Sequence, residues 1–193
     1  MCYDTRSSAA TFIIGLISAI FIKYLPLKLF VYAFTLMQLY EFMIWSHSYD
    51  SIENKIGTAI GKYALPFHAT AFGLGIYLTT GDYIPLIFGV LSYILVLTLA
   101  YDNTILGQTE IPENGKRIVW PFCQIWYLGT ALLIILSTLI YSPTKYKIMM
   151  TLSYAGTVLY AYANINSEKE FGSVWCFSAA YIAPFLALAD NMF

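Results

Sequence analysis

The sequence is poor in charge. Only 11% of its 193 residues are Asp, Glu, Lys or Arg, with ten basic residues against eleven acidic ones and a net charge of −1. Soluble domains carry about 25%. So little charge cannot coat a water-facing surface, and no basic excess is left to neutralise a phosphate backbone. These shortages exclude disorder, a nucleic-acid-binding surface and an ordinary soluble fold.

Histidine and cysteine are scarce as well. The histidines are His47 and His68, and the cysteines are Cys2, Cys123 and Cys176, with no C-x-x-C pair. Zinc takes three or four His, Cys or carboxylate ligands, and the seven-helix lipid hydrolases of the ceramidase type need three histidines. A mixed Cys/His/Glu site and a disulfide are geometrically open, but buried thiols are the simpler reading. No metal and no cofactor is expected. There is no G-x-S-x-G segment and no glycine-rich phosphate loop. A retinal Schiff base needs a lysine inside the bundle; the last hydrophobic stretch has none, and Lys62 is poorly placed.

What the chain has is apolar length. Hydrophobic residues make up 59%, and the mean hydropathy is +0.67. A stretch of about 20 apolar residues spans a bilayer as a helix. Seven are expected, at Ala9–Tyr24, Lys28–Ser46, Ile56–Thr79, Tyr83–Tyr101, Val119–Tyr141, Thr144–Ile165 and Phe171–Ala189. Six is the alternative count, because the first and sixth breaks are soft. The alternation expected of a membrane β-barrel is absent. The expected fold is all-α, a single polytopic bundle over residues 1–193, integral to a membrane. The first span reads as a retained anchor rather than a cleaved signal peptide. No inverted repeat is seen.

Pro26, Gly81-Asp82, Pro85 and Pro143 mark short turns, and Asp102–Ile118 is the one long polar loop. With seven spans, the N-terminus, Ser46–Lys55, Asp102–Ile118 and Asn166–Glu170 share one side, here side A. The short turns and the C-terminus lie on side B. Lys and Arg are nearly balanced: Arg6, Lys55, Lys116, Arg117 and Lys169 on A, against Lys23, Lys28, Lys145 and Lys147 on B. The positive-inside rule therefore does not orient the chain.

Polar side chains within a span are costly and face the interior. In the second span Phe34, Gln38, Glu41 and Trp45 fall within about 60° of arc, with Glu41 roughly 7 Å below the A end. In the third, Gly57, Gly61, Ala64, His68, Ala71 and Gly75 share one face, and Pro66 offers a bend. In the fifth, Trp120, Gln124 and Tyr127 align; in the sixth, Ser153, Thr157, Tyr160 and Asn164; in the seventh, Ser173, Cys176, Ala180 and Pro184, beside a groove of Ala179, Ala183 and Ala187. Four of these five stripes crowd toward side A, which suggests a polar cavity open there and closed near the bilayer middle. A plainer account is available for some members: Trp45, Trp120, Trp126 and Trp175 fit an interface belt, and Gln38 and Gln124 could serve only as links between helices.

Several segments carry a resemblance. The opening Met1-Cys2-Tyr3-Asp4-x-x-Ser7-Ser8, the run Met37-Gln38-Leu39-Tyr40-Glu41-Phe42-Met43-Ile44-Trp45, Pro66-Phe67-His68, and Gly172-Ser173-Val174-Trp175-Cys176 resemble a family of multi-pass membrane proteins that begin Met-Cys-Tyr/Trp-Ser. Its members occur in bacteria and in large DNA viruses of algae and protists. Asp4 stands where the family has Ser. The resemblance implies a membrane protein and no particular activity, and marks Cys2, Gln38, Glu41, Trp45, Trp175 and Cys176 as more than filler.

The leading expectation is a transport, channel or small-ligand-binding protein handling a proton or cation. Glu41 would titrate, Gln38 would orient it, and His68 would act deeper in. Trp45, Trp120, Gln124, Tyr160, Asn164, Trp175 and Cys176 would line the pathway. One alternative is a structural component, for instance of a viral membrane, assembling through Gly57-x-x-x-Gly61. Another is an intramembrane enzyme acting on a lipid, with Glu41 and His68 as acid and base. The expected partners are the bilayer and a second copy of the chain, not nucleic acid.

Overall fold

The computed structural model describes residues 4–99, 109–110, 118–120, 127–165 and 170–192. Among them are eight helices: α1 Thr5–Phe21, α2 Leu25–Trp45, α3 Ile52–Ala64, α4 Phe67–Thr80, α5 Ile84–Leu99, α6 Tyr127–Tyr141, α7 Thr144–Ala163 and α8 Phe171–Met192. The one pairing of strand type is an isolated bridge between Glu110 and Val119. The fold is all-helical.

Local chemistry sets the helix ends. Asp4 caps α1: its carboxylate accepts from the Ser7 backbone N–H at 2.7 Å, and the Ser7 hydroxyl receives the Asp4 N–H at 3.3 Å. That pair is a reciprocal capping box, and the Ser7 N–H holds the Asp4 carboxyl below its ordinary range. Asp caps a helix as well as Ser does, so the departure at position 4 keeps the cap. Pro26 occupies the first turn of α2, where a missing N–H is harmless. Ser51 caps α3 through the Asn54 N–H at 3.1 Å. Gly81 ends α4 with φ of 77°, a left-handed turn that costs glycine little.

Two expected spans are corrected. The third, Ile56–Thr79, is two helices, broken at Leu65-Pro66. Proline has no N–H to donate and its ring crowds the preceding turn, so α4 starts afresh after it. The fifth was expected from Val119, but 118–120 is not helical and α6 begins at Tyr127. Val119 is held instead by two backbone hydrogen bonds to Glu110, at 3.0 and 2.9 Å.

Packing centres on α2, which touches α1, α3, α4 and α8. From there α8 leads to α7, α7 to α6, and α6 to α4 and α5. Glycines set the closest approaches. A Cβ on Gly73 would stand 2.5 Å from the Pro85 carbonyl oxygen, and one on Gly89 2.8 Å from that of Ala69. The α4–α5 pair therefore meets backbone to backbone. Gly57 and Gly61 are likewise covered within the chain, by Ile44 and the Tyr40 carbonyl and by the Trp120 ring. The face expected to join copies of the protein is already occupied.

The outer surface is apolar. Ile13, Ile17 and Ile20 of α1, Ile87, Leu91 and Ile94 of α5, Leu132 and Leu136 of α6, Leu152 and Leu159 of α7, and Phe185 and Leu188 of α8 are all exposed. Helix α3 is the clearest case. Its outward ridge is Ile52, Ile56, Ile60 and Tyr63, while Asn54, Thr58 and Lys62 are buried. The polar stripe follows an i, i+4, i+8 spacing, a single helix face, and that face points inward. Asn54 is bonded there from both sides: its Nδ2 donates to the Thr109 carbonyl at 3.1 Å and its Oδ1 accepts from the Thr109 N–H at 3.0 Å. The Thr58 and Thr109 hydroxyls lie 2.6 Å apart. An amphipathic helix on a soluble protein is turned the other way. By length and composition, α2 is long and apolar enough to cross a membrane; α1 and α5 are shorter apolar helices.

Candidate functional site

The stripe on α2 faces inward. Gln38 is 2% exposed and Glu41 is fully buried. Gln38 is held from two sides: its Oε1 accepts from the Thr11 hydroxyl of α1 at 2.6 Å, and its Nε2 donates to the Cys176 carbonyl of α8 at 3.3 Å. Cys176 is itself buried. One amide thus ties three helices together. Trp45, the last residue of α2, is half-buried against the core.

Two turns below Glu41 the interior becomes aromatic. Phe34 of α2 stands 5.2 Å from the His68 ring of α4 and 5.1 Å from the Trp175 ring of α8, centroid to centroid. His68 and Trp175 are 6.1 Å apart. Trp175 is steered by its own hydrogen bond, Nε1 to the Thr157 hydroxyl of α7 at 3.2 Å. Phe30 and Tyr154 close the cluster, 5.5 Å apart, with Tyr154 at 5.3 Å from Trp175. Most of these pairs meet edge to face, the preferred geometry for aromatic rings. Proline 66 places His68 in the first turn of α4, and the residue is fully buried. Phe34 and Glu41 are seven residues apart on one helix, so the ring cluster lies about 10 Å from the carboxylate along the α2 axis.

The stripes of α2, α4, α7 and α8 therefore meet around Gln38, Phe34, His68, Thr157, Trp175 and Cys176, with Glu41 buried one turn beyond Gln38 on α2. Other expected members do not join them. Tyr160 is 42% exposed. Asn164 is exposed, with its amide turned back onto the Tyr160 carbonyl at 2.7 Å. Helical period put both on the face of Thr157, but in the last turn of α7 it is Ala161 that is buried, while Leu159, Tyr162 and Ala163 are exposed with Tyr160. Trp120 is fully buried against Gly61, yet it reaches there from an extended segment rather than from a helix face shared with Gln124. Gln124, Cys2, Cys123 and Trp126 lie outside the described residues, and so do the side chains of Tyr127, Ser173, Ala179 and Ala180. Among the described residues no three His, Cys, Asp or Glu side chains gather as metal ligands would.

Two features escaped the sequence reading. Tyr154 lies one turn before Thr157, outside the expected stripe of α7, and is buried in the core. Asp190 is the second. In the structure it is buried and holds both the α1–α2 turn and the start of α7. Its Oδ2 accepts from the backbone N–H groups of Lys23 and Tyr24 at 2.6 and 3.2 Å. Its Oδ1 meets the Lys145 ammonium at 3.2 Å and accepts from the Tyr146 hydroxyl. Tyr146 stacks on Tyr24 at 4.1 Å, and the Tyr24 hydroxyl donates to Ser142 at 2.9 Å.

At the ring cluster the interior is filled by side chains. A cavity of about 10 Å³ remains, lined among the described residues by Phe30, Val31, Phe34, Tyr154, Trp175, Ile182 and Ala183. No family model, no curated protein and no solved structure matches this chain.

Proposed function

We propose that this chain is a polytopic membrane bundle whose buried Glu41 and His68 handle a proton or small cation. The observation that carries the reading is the reversed polarity of α3, with Asn54, Thr58 and Lys62 inside and isoleucines outside. Such a helix is stable where the surroundings are hydrocarbon and the polar partners are internal. The exposed isoleucine, leucine and phenylalanine ridges of α1, α5, α6, α7 and α8 support the same placement, since monomeric soluble proteins seldom expose such extended apolar area. An acid and an imidazole buried at two depths of one interior are the parts a proton or cation pathway needs. In this reading Glu41 takes and releases the charge near side A. Gln38, fixed between Thr11 and Cys176, keeps α2 in register, and His68 acts one level deeper.

Two of the segments that resemble Met-Cys-Tyr/Trp-Ser membrane proteins, Met37–Trp45 and Gly172–Cys176, meet through Gln38 and Cys176 at 3.3 Å.

Proton and cation flux in proteoliposomes tests the reading, with wild type beside Glu41→Gln. Flux that falls at least tenfold in the variant supports it. Absence of flux in wild type, with both proteins folded, contradicts it and favours a structural membrane component.

A further inference from the structure

The last turns of α1 and α8 leave an open groove between them, of about 440 Å³. Its floor is small: Ser18 and Ala187 are each 7% exposed. Its walls are large and apolar, formed by the exposed Ile17, Phe21 and Leu188. The Ser18 hydroxyl is turned back onto the Ile14 carbonyl at 2.7 Å. On α8 the groove runs from Pro184 to Asn191, about 10 Å.

Its character changes at the side-B end. There the Asn191 amide donates to the Phe21 carbonyl at 2.9 Å and to the Ala187 carbonyl at 2.8 Å. Asp190, next to it, accepts from the Lys23 backbone N–H at 2.6 Å and meets the Lys145 ammonium at 3.2 Å. Two lysines from different turns thus converge where the groove ends. Lys23 is exposed, and its ammonium meets no carboxylate among the described residues. The Asp190 side chain is fully buried, and its charge is met by its own donors.

We propose that this groove holds one acyl chain of an anionic phospholipid, with the phosphate held by Lys23 and Lys145. An apolar trough that ends in lysines has the polarity of such a lipid, read from chain to headgroup. Basic pockets between membrane helices take anionic headgroups, and lysine side chains near helix ends reach the headgroup level. A zwitterionic lipid fits the trough as well, but its own cation offsets the attraction of its phosphate. The site rests on the membrane placement proposed above and is independent of any flux.

Photocrosslinking tests it. The full chain is reconstituted into phosphatidylcholine vesicles with a trace of phosphatidylglycerol or of phosphatidylcholine that carries a diazirine in its acyl chain, and the crosslinked peptides are read by mass spectrometry. In wild type the phosphatidylglycerol probe should label 17–21 and 184–191 at least fivefold more than the phosphatidylcholine probe, since each lysine near the surface contributes about fivefold. Lys23→Gln with Lys145→Gln keeps the backbone bonds to Asp190 and should bring that ratio close to one. Equal labelling of the groove by both probes in wild type would overturn the proposal, and so would an unchanged ratio in the double variant. A groove that neither probe labels, on a chain labelled elsewhere, would overturn it and point to a protein occupant. A chain that neither probe labels anywhere would overturn the membrane placement, and this site with it. The wild-type comparison decides even if the double variant fails to fold.

Discussion

The Nε2 of Gln38 donates to the carbonyl oxygen of Cys176 at 3.3 Å, across 138 positions of sequence. Its Oε1 accepts at the same time from Thr11. Gln38→Leu removes both bonds and leaves the Cys176 carbonyl buried without this donor. Interhelical hydrogen bonds in bilayers contribute about 0.6–2 kcal/mol each. The variant should lose about 1–3 kcal/mol, read as a lower unfolding midpoint in detergent. Gln38→Glu should lose less if the Thr11 bond persists. An unchanged midpoint in Gln38→Leu would show that the two bonds contribute nothing net.

Asp190 should be more sensitive to truncation than its ion-pair partner Lys145. Truncation to Ala leaves two backbone N–H groups, a tyrosine hydroxyl and an ammonium without their acceptor. Removing one partner of a buried charged network costs about 3–5 kcal/mol. Lys145→Ala should cost under about 1 kcal/mol, because the lysine side chain is 31% exposed and solvent screens the pair. Urea or thermal unfolding of the two variants side by side checks the order. Equal effects would mean that the ion pair, rather than the backbone contacts, holds the turn.

Glycines should divide into two groups. A Cβ at Gly73 meets the Pro85 carbonyl at 2.5 Å, and backbone cannot step aside cheaply, whereas at Gly129 and Gly156 nothing lies within 4 Å. Gly73→Ala should therefore destabilise by about 1–3 kcal/mol, as overpacking does. Gly129→Ala and Gly156→Ala should stabilise by about 0.5–1 kcal/mol through the helix preference of alanine. Melting curves of the three variants test the division, and a stabilised Gly73→Ala would show that α4 and α5 can separate freely.

How much of this was legible in the sequence depends on the range of each signal. Helical period alone placed Gln38, Glu41, His68 and Cys176 inward, because a face is set by local spacing. Composition likewise foretold an all-helical chain. The break at Pro66 was marked as a bend, but its completion into two helices depends on packing by α2 and α5. Trp120 was expected on a helix because local composition does not separate helical from extended backbone; the Glu110–Val119 pairing that decides it there joins positions apart in sequence. Tyr160 and Asn164 share a face with Thr157, and period says nothing about where the neighbouring helix ends. The pairings of Asp190 with the α1–α2 turn, and of Thr109 with Asn54, join distant positions and leave no local trace. The reversal of α3 was written in the sequence, as Asn54, Thr58 and Lys62 opposite Ile52, Ile56 and Ile60.

That reversal is also the feature on which the membrane placement stands. Single nitroxide labels at Ile52, Ile56, Ile60 and Thr58, in protein reconstituted into bilayers, measure it through collisions with oxygen, which prefers lipid, and with a water-soluble nickel chelate. The account predicts that the labels at Ile56 and Ile60 collide mainly with oxygen, and that the label at Thr58 is reached by neither. Labels at Ile56 and Ile60 that collide mainly with the nickel chelate would put the ridge in water and contradict the membrane placement.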